Sequence, residues 1–181
     1  LHPEARPTPS RNRSHTYGPR HSAVRPIPRV IHIGLGSRRR PVYGAGLEVR
    51  GWLYVADHCR ALREVLRRGT PGETYNIGGR SERTNIEVVR TICRHLDTMR
   101  PRANGESYAA LITHVRDRPG HDRRYAIDYS KIASELGWRP ATGVDAGIVS
   151  TSRWYLHDPA SVDSAPSCRS PQRTPHPNHP P

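Results

Sequence analysis

Phenylalanine is absent from this chain of 181 residues, methionine occurs once, and hydrophobic residues make up only 34%. A chain of this length holds one ordinary domain, and so little apolar material builds only a small core. Lysine is almost absent as well. Lys131 stands alone, so nearly all the positive charge is arginine. The three cysteines, Cys59, Cys93 and Cys168, lie far apart with no CxxC pair, which excludes the common zinc and dithiol motifs and fits a reduced, cytoplasmic setting. No apolar run approaches a membrane span, and the first residues lack the apolar stretch of a signal peptide. The expectation is a soluble chain with no membrane partner.

The formal net charge is +13, a balance that raises nucleic acid as a partner through phosphate contacts. Its location argues otherwise. Residues 1–40 carry nine arginines against one acid, in a segment without periodic pattern, and the aromatic residues do not interleave with them as a base-stacking surface requires. A basic polyanion-binding or nucleic-acid-binding protein using that end is kept as the alternative reading.

Along the chain, residues 1–16 are dense in Pro, Arg and Ser and read as disordered. Ile27, Val30, Ile31 and Leu35 fall at helical spacing after two prolines. Residues 41–44 and 48–55 read as short strands around the turn Gly44-Ala45-Gly46. Asp57 is placed to cap a helix with Ala61, Leu62, Val65 and Leu66 on its inner face, closed by Gly69. A short strand is expected over 74–77. Ile86, Val89, Ile92, Cys93, Leu96 and Met99 then form a clear amphipathic stripe, with Asn85 as the expected N-cap. Val144, Ile148, Thr151 and Tyr155 predict a last helix. Residues 159–181 form a Pro/Ser/His-rich tail, in which His176 and His179 read as solvated.

Between a strand at 112–115 and a helix beginning at Ser130 lies the loop Asp117-Arg118-Pro119-Gly120-His121-Asp122-Arg123-Arg124. Three arginines and a histidine at a Pro-Gly corner offer forked donors to an anion such as a diphosphate; the same residues also suit a solvated basic loop. His114, Asp117 and His121 form a conceivable ligand trio for a metal, which the neighbouring arginines disfavour by repelling a cation.

This loop resembles the substrate loop of the dTDP-glucose 4,6-dehydratases, extended short-chain dehydrogenases of the NAD-dependent epimerase/dehydratase group. Further blocks of that family follow in its order: Arg25-Pro26-Ile27-Pro28, Pro41-Val42-Tyr43-Gly44, residues 50–58, residues 72–79, Leu136-Gly137-Trp138-Arg139-Pro140 and Trp154-Tyr155-Leu156. The resemblance runs from about Tyr17 to Leu156 and matches only the C-terminal portion of the family. It implies an α/β fold: the C-terminal substrate-binding part of a Rossmann-like dehydrogenase, over residues 17–158.

It also implies roles. Arg50 is the cation for the diphosphate of a dTDP-sugar, with Asp117, Arg118, Pro119, Gly120 and His121 beside it. Arg25, where the family has Lys, and Ile27, Pro28 and Val30 line the same cleft. Pro41, Val42 and Tyr43 pack on the thymine base, and Asn85 contacts the nucleotide. Gly51 and Val24 replace acids of the family pattern. The family's lyase reaction, a step of dTDP-rhamnose biosynthesis, uses bound NAD, a glycine-rich phosphate turn and a Tyr-x-x-x-Lys pair. None of these is assignable: four residues before Lys131 stands Ile127, and Gly34-x-Gly36 follows no strand. No catalytic, cofactor-binding or metal residue is therefore expected in this chain; a separately encoded N-terminal half would have to supply the rest, and the family is commonly homodimeric. Against the family, residues 1–16 occupy the place of a buried strand and read as translated out of the ancestral frame.

Overall fold

The computed structural model of the protein describes residues 15–22 and 24–158. The expected disorder of 1–14 and of 159–181, with Cys168, His176 and His179, lies outside these residues.

A strand begins at the end of the stretch 1–16 that was expected to be disordered. His15–Tyr17 (β1) pairs in parallel with Val49–Tyr54 (β3), Tyr17 opposite Tyr54. Three residues with so weak a local signal are held as a strand by their neighbour and by Tyr17, which is fully buried and donates its hydroxyl to Val144 O at 3.2 Å. The helix α1 (Pro26–Leu35) follows, with proline in its first turn where a missing N–H costs nothing. Arg40–Tyr43 (β2) comes next. The strands flanking Gly44-Ala45-Gly46 belong to different sheets: β2 pairs in parallel with Ile112–Val115 (β5), whereas β3 is the centre of the other sheet. Gly46 makes that parting possible. Its φ is +71°, and a Cβ there would stand 2.8 Å from Val42 Cγ1 and 2.9 Å from Ile86 Cβ.

On one edge β3 takes Ser81–Thr84 (β4) antiparallel, Arg50 opposite Arg83. Its other edge is shared by β1 and by Arg124–Tyr125 (β6), with Arg50 opposite Tyr125. Neither β4 nor β6 has an apolar alternation, so pairing rather than propensity makes them strands. The stretch 74–77, expected as a strand, is extended chain with a single β-bridge at Ile77, and Tyr75 and Ile77 are buried.

Two helix starts differ from expectation. Helix α2 (Val55–Arg68) begins ahead of Asp57, which lies in its first turn and reaches out to accept from Ala141 N (3.1 Å), Thr142 N (2.8 Å) and Arg60 (2.7 Å). Buried Asp57 thus ties α2 to the segment entering α5 (Val144–His157). Leu66, expected inside, is 70% exposed. For α3 (Asn85–Met99) the cap is Thr84, in a full capping box with Glu87, and not Asn85. That frees the Asn85 side chain, which donates to Glu48 Oε2 at 3.1 Å. After a single 3-10 turn and β5, the short α4 (Ser130–Glu135) completes the order.

Apolar residues of α1, α3 and α5 pack with Tyr17, Val42 and Trp52 into one core; a second, smaller one joins α2 and α4 through Ala61, Val65, Tyr75, Ile132 and Trp138. The site described next lies beside the first.

Candidate functional site

A cavity of about 550 Å³ opens between α1, β2, the start of α3 and the loop before β6. Each element delivers side chains for a local reason. The amphipathic turn of α1 buries Ile27, Val30 and Ile31 and leaves Arg29 on the cavity wall. β2 contributes Arg40, Pro41, Val42 and Tyr43; β3 contributes Arg50 and Trp52; α3 contributes Asn85, Val88 and Val89.

Arg50 is the fixed point of one corner. Only 4% exposed, it donates to Val49 O at 2.9 Å and to Asp122 O at 2.8 Å, and its guanidinium lies 4.8 Å from the Tyr125 ring centre. Among the described residues no carboxylate pairs with it. Arg118 lies over the Tyr43 ring at 5.2 Å, a cation–π arrangement that holds the head in place while its charge stays available.

His121 is the third donor of this corner. Its Nδ1 donates to Asp117 Oδ1 at 2.8 Å and stands 3.6 Å from Glu48 Oε1. Glu48 is in turn held by Asn85, both through its side chain and through Asn85 N to Glu48 O at 3.0 Å. The His121 bond, followed by the Arg118 N–H, keeps the Asp117 carboxyl below its ordinary pKa. Glu48, Asp117 and His121 bring ligand atoms within 4.8 Å of one another. Each already has a hydrogen-bond partner, and the chain Asn85–Glu48–His121–Asp117 orients the ring. His114, read with Asp117 and His121 from the sequence, turns elsewhere and donates to Gly44 O at 2.9 Å.

His15 faces this corner from β1. Its ring centre is 5.4 Å from that of Trp52 and 6.0 Å from that of Tyr125. Burial first, then the charges of Arg50 and Arg25, hold its pKa below the ordinary value, so it is a neutral surface. Asp122, the one carboxylate on the lining, accepts a hydrogen bond from the Tyr125 hydroxyl, which raises the pKa of that phenol.

Of the residues singled out from the sequence, Ile27, Val30, Pro41, Val42, Tyr43, Arg50, Asn85, Arg118, Pro119, Gly120 and His121 meet on this one lining. Three do not. Pro28 is buried within α1, Arg25 caps that helix with its backbone, and Asp117 stands behind His121 as its acceptor. Among the lining residues, sequence reasoning missed Arg29, Arg40, His15, Trp52 and Tyr125. The first two sat in an arginine-rich segment that reads as solvated, while Tyr125 reaches the site only because β6 pairs with β3.

Two further features bear on a dinucleotide and on catalysis. A dinucleotide phosphate needs glycines in a turn from strand to helix, whereas Gly34 and Gly36 lie at the C-terminal end of α1, and a Cβ at Gly34 would stand 3.2 Å from Leu96. That pair does not fit NAD. Lys131 Nζ is 2.5 Å from Glu73 Oε2 and 5.0 Å from the Tyr75 ring centre, engaged in a surface ion pair.

Known proteins share this architecture. A dTDP-glucose 4,6-dehydratase of Xanthomonas campestris is 54% identical over 150 residues, covering 83% of this chain and 43% of that protein. The crystal structure of dTDP-glucose 4,6-dehydratase from Bacillus anthracis, in complex with NAD, aligns with a TM-score of 0.70 at 38% identity, over 82% of this chain and 44% of the other. That from Streptomyces venezuelae, with NAD and a second ligand, aligns at 0.71 and 36% identity, over 80% and 42%. This chain therefore spans less than half the length of the relatives it matches, and its α/β fold is that of the Rossmann-like extended short-chain dehydrogenases. The family description GDP-mannose 4,6 dehydratase matches residues 6–151, and the chain belongs to that family.

Proposed function

We propose that this chain is the nucleotide-sugar-binding portion of a dTDP-glucose 4,6-dehydratase and that by itself it performs no turnover. The observation that carries the reading is the Arg50 corner: a buried guanidinium without a carboxylate partner, flanked by an anchored Arg118 and an oriented His121. Such donors, fixed before the ligand arrives, suit a diphosphate because a guanidinium gives two parallel hydrogen bonds to phosphate oxygens. With Nδ1–H committed to Asp117, His121 offers Nε2 to the anion, and it donates there in the imidazolium form.

Around that anchor, Pro41, Val42 and Tyr43 suit a flat base, and Ile27 and Val30 the apolar side of the cleft. Asn85 keeps one amide hydrogen and its oxygen for the nucleotide after bonding Glu48. Arg25 and Pro28 act indirectly, by starting α1 where it supports the wall. NAD belongs to the proposal only through the missing part of the enzyme, since Gly34 and Gly36 do not fit it; no chemical step is assigned to this chain. A partner N-terminal half, a homodimeric assembly and a cytoplasmic location complete the reading.

Thermal unfolding with dTDP and with thymidine tests it, because a ligand that binds only the folded state raises its melting temperature. The expected result is a rise with dTDP and none with thymidine, together with no 4-keto-6-deoxy sugar formed from dTDP-glucose and NAD. No response to dTDP removes the binding site. Robust turnover by the pure chain removes the claim of inactivity.

A further inference from the structure

Four side chains share one face of the sheet at the Arg50 corner. Residues two apart on a strand point to the same side, and on β3 those two are Arg50 and Trp52. In register beside them, on the edge away from β4, stand Tyr125 of β6 and His15 of β1. All four line the cavity. His15 thus sits one step along the sheet from Arg50, its ring centre 5.4 Å from that of Trp52 and 6.0 Å from that of Tyr125.

The His15 ring is half-buried, and among the described residues neither of its nitrogens has a hydrogen-bond partner. The charges that face it are Arg50 from β3 and Arg25 at the start of α1, and both oppose its protonation. From β6 it meets Tyr125, whose hydroxyl is committed to Asp122. His121, the other histidine of the corner, has Asp117 and Glu48 to offset a positive ring; among the described residues His15 has no such carboxylate. Two cations without a counter-charge keep it neutral in the free chain. An oxyanion at Arg50 reverses that balance, because it offsets the cation and supplies an acceptor.

We propose that His15 is the proton-linked member of this site: its ring takes a proton from solvent as a diphosphate reaches Arg50, so the chain holds a nucleotide sugar more tightly as pH falls. The proposal rests on the reading of the Arg50 corner given above. Arg50 and Arg118 stay charged throughout the physiological range and give an affinity that pH does not move. His15 adds a contribution that mild acidity turns on.

dTDP-glucose is the ligand for the test. A diphosphate linked at both ends gains and loses no proton near neutral pH, whereas the terminal phosphate of dTDP titrates there. Proton NMR of the full chain follows the His15 ring, its signal assigned by its loss in His15→Asn. The expected result is a titration midpoint that rises by about half a pH unit or more with saturating dTDP-glucose and does not move with thymidine. By linkage, affinity for dTDP-glucose should then rise about threefold or more between about pH 7.5 and 5.5, and His15→Asn should reduce that gain to what His121 supplies. Binding that leaves the His15 midpoint in place, or lowers it, overturns the proposal and spares the corner. A raised midpoint with an affinity that Arg50→Ala leaves unchanged overturns the reading of the corner, and the proton linkage stands. No binding of dTDP-glucose across this range ends both.

Discussion

The two arginine walls of one cavity are built by opposite rules. At the Arg50 corner every donor has something that holds it: two backbone carbonyls and Tyr125 for Arg50, the Tyr43 ring for Arg118, and Asp117 for His121. At the other wall, Arg40 has a buried Nε with no acceptor and Arg29 as its repelling neighbour. Charge alone therefore does not make a prepared site. The first corner is rigid before a ligand comes, whereas the second carries the local cost of a buried Nε without an acceptor.

The same substitution at the two walls sharpens this contrast most. Arg40→Leu removes a half-buried guanidinium whose Nε has no acceptor and adds apolar contact near Val42, and we expect it to stabilise the chain by about 1 kcal/mol. Arg50→Leu strips donors from Val49 O and Asp122 O and is expected to destabilise by roughly 2–3 kcal/mol. Urea denaturation of both variants checks the signs. Two changes of equal sign would erase the distinction between the walls.

A smaller effect comes from histidines. His15, His21 and His32 all have pKa values lowered by burial, with Arg50 and Arg25, Arg25, and Arg38 adding in turn. A lowered histidine pKa means that the folded state prefers the neutral ring. Its stabilising contribution is present above the unfolded value near 6.5 and is lost as pH falls through the lower folded value. Melting temperature should therefore fall between about pH 6.5 and 5. Saturating dTDP should blunt the part due to His15, since a nearby diphosphate favours its charged form at the Arg50 corner. A melting temperature that is flat or rising over this range would contradict the burial of these rings.

Much of the scaffold was legible because apolar period survives in it. Ile86 to Met99 and Val144 to Tyr155 read directly as the buried stripes of α3 and α5. The misplaced caps show the limit of single-residue reasoning. Thr84 followed by Glu87 is itself a sequence signal for a capping box, and Asn85, one residue later, competes with it only when the reciprocal pair is overlooked. Asp57 looks like a cap for the same reason that it is useful. It sits at the start of α2, yet its carboxylate serves the distant amides of Ala141 and Thr142.

Pairing across the chain was not legible at all. His15–Tyr17, Ser81–Thr84 and Arg124–Tyr125 are polar, short and strand-forming only because β3 lies beside them. That is why Tyr125 and His15 were missed as lining residues. Arg29 and Arg40 were missed because the turns around an arginine decide whether it faces a cavity, and that has no signature of its own in sequence.

The most direct test of the central claim is calorimetric titration of dTDP into the wild-type chain and into Arg50→Ala. The account predicts saturable binding by the former and a loss of about tenfold to a hundredfold in the latter, as expected for one or two charge-assisted hydrogen bonds. Equal affinity of the two proteins for dTDP would show that the diphosphate, if it binds, is not held at the Arg50 corner.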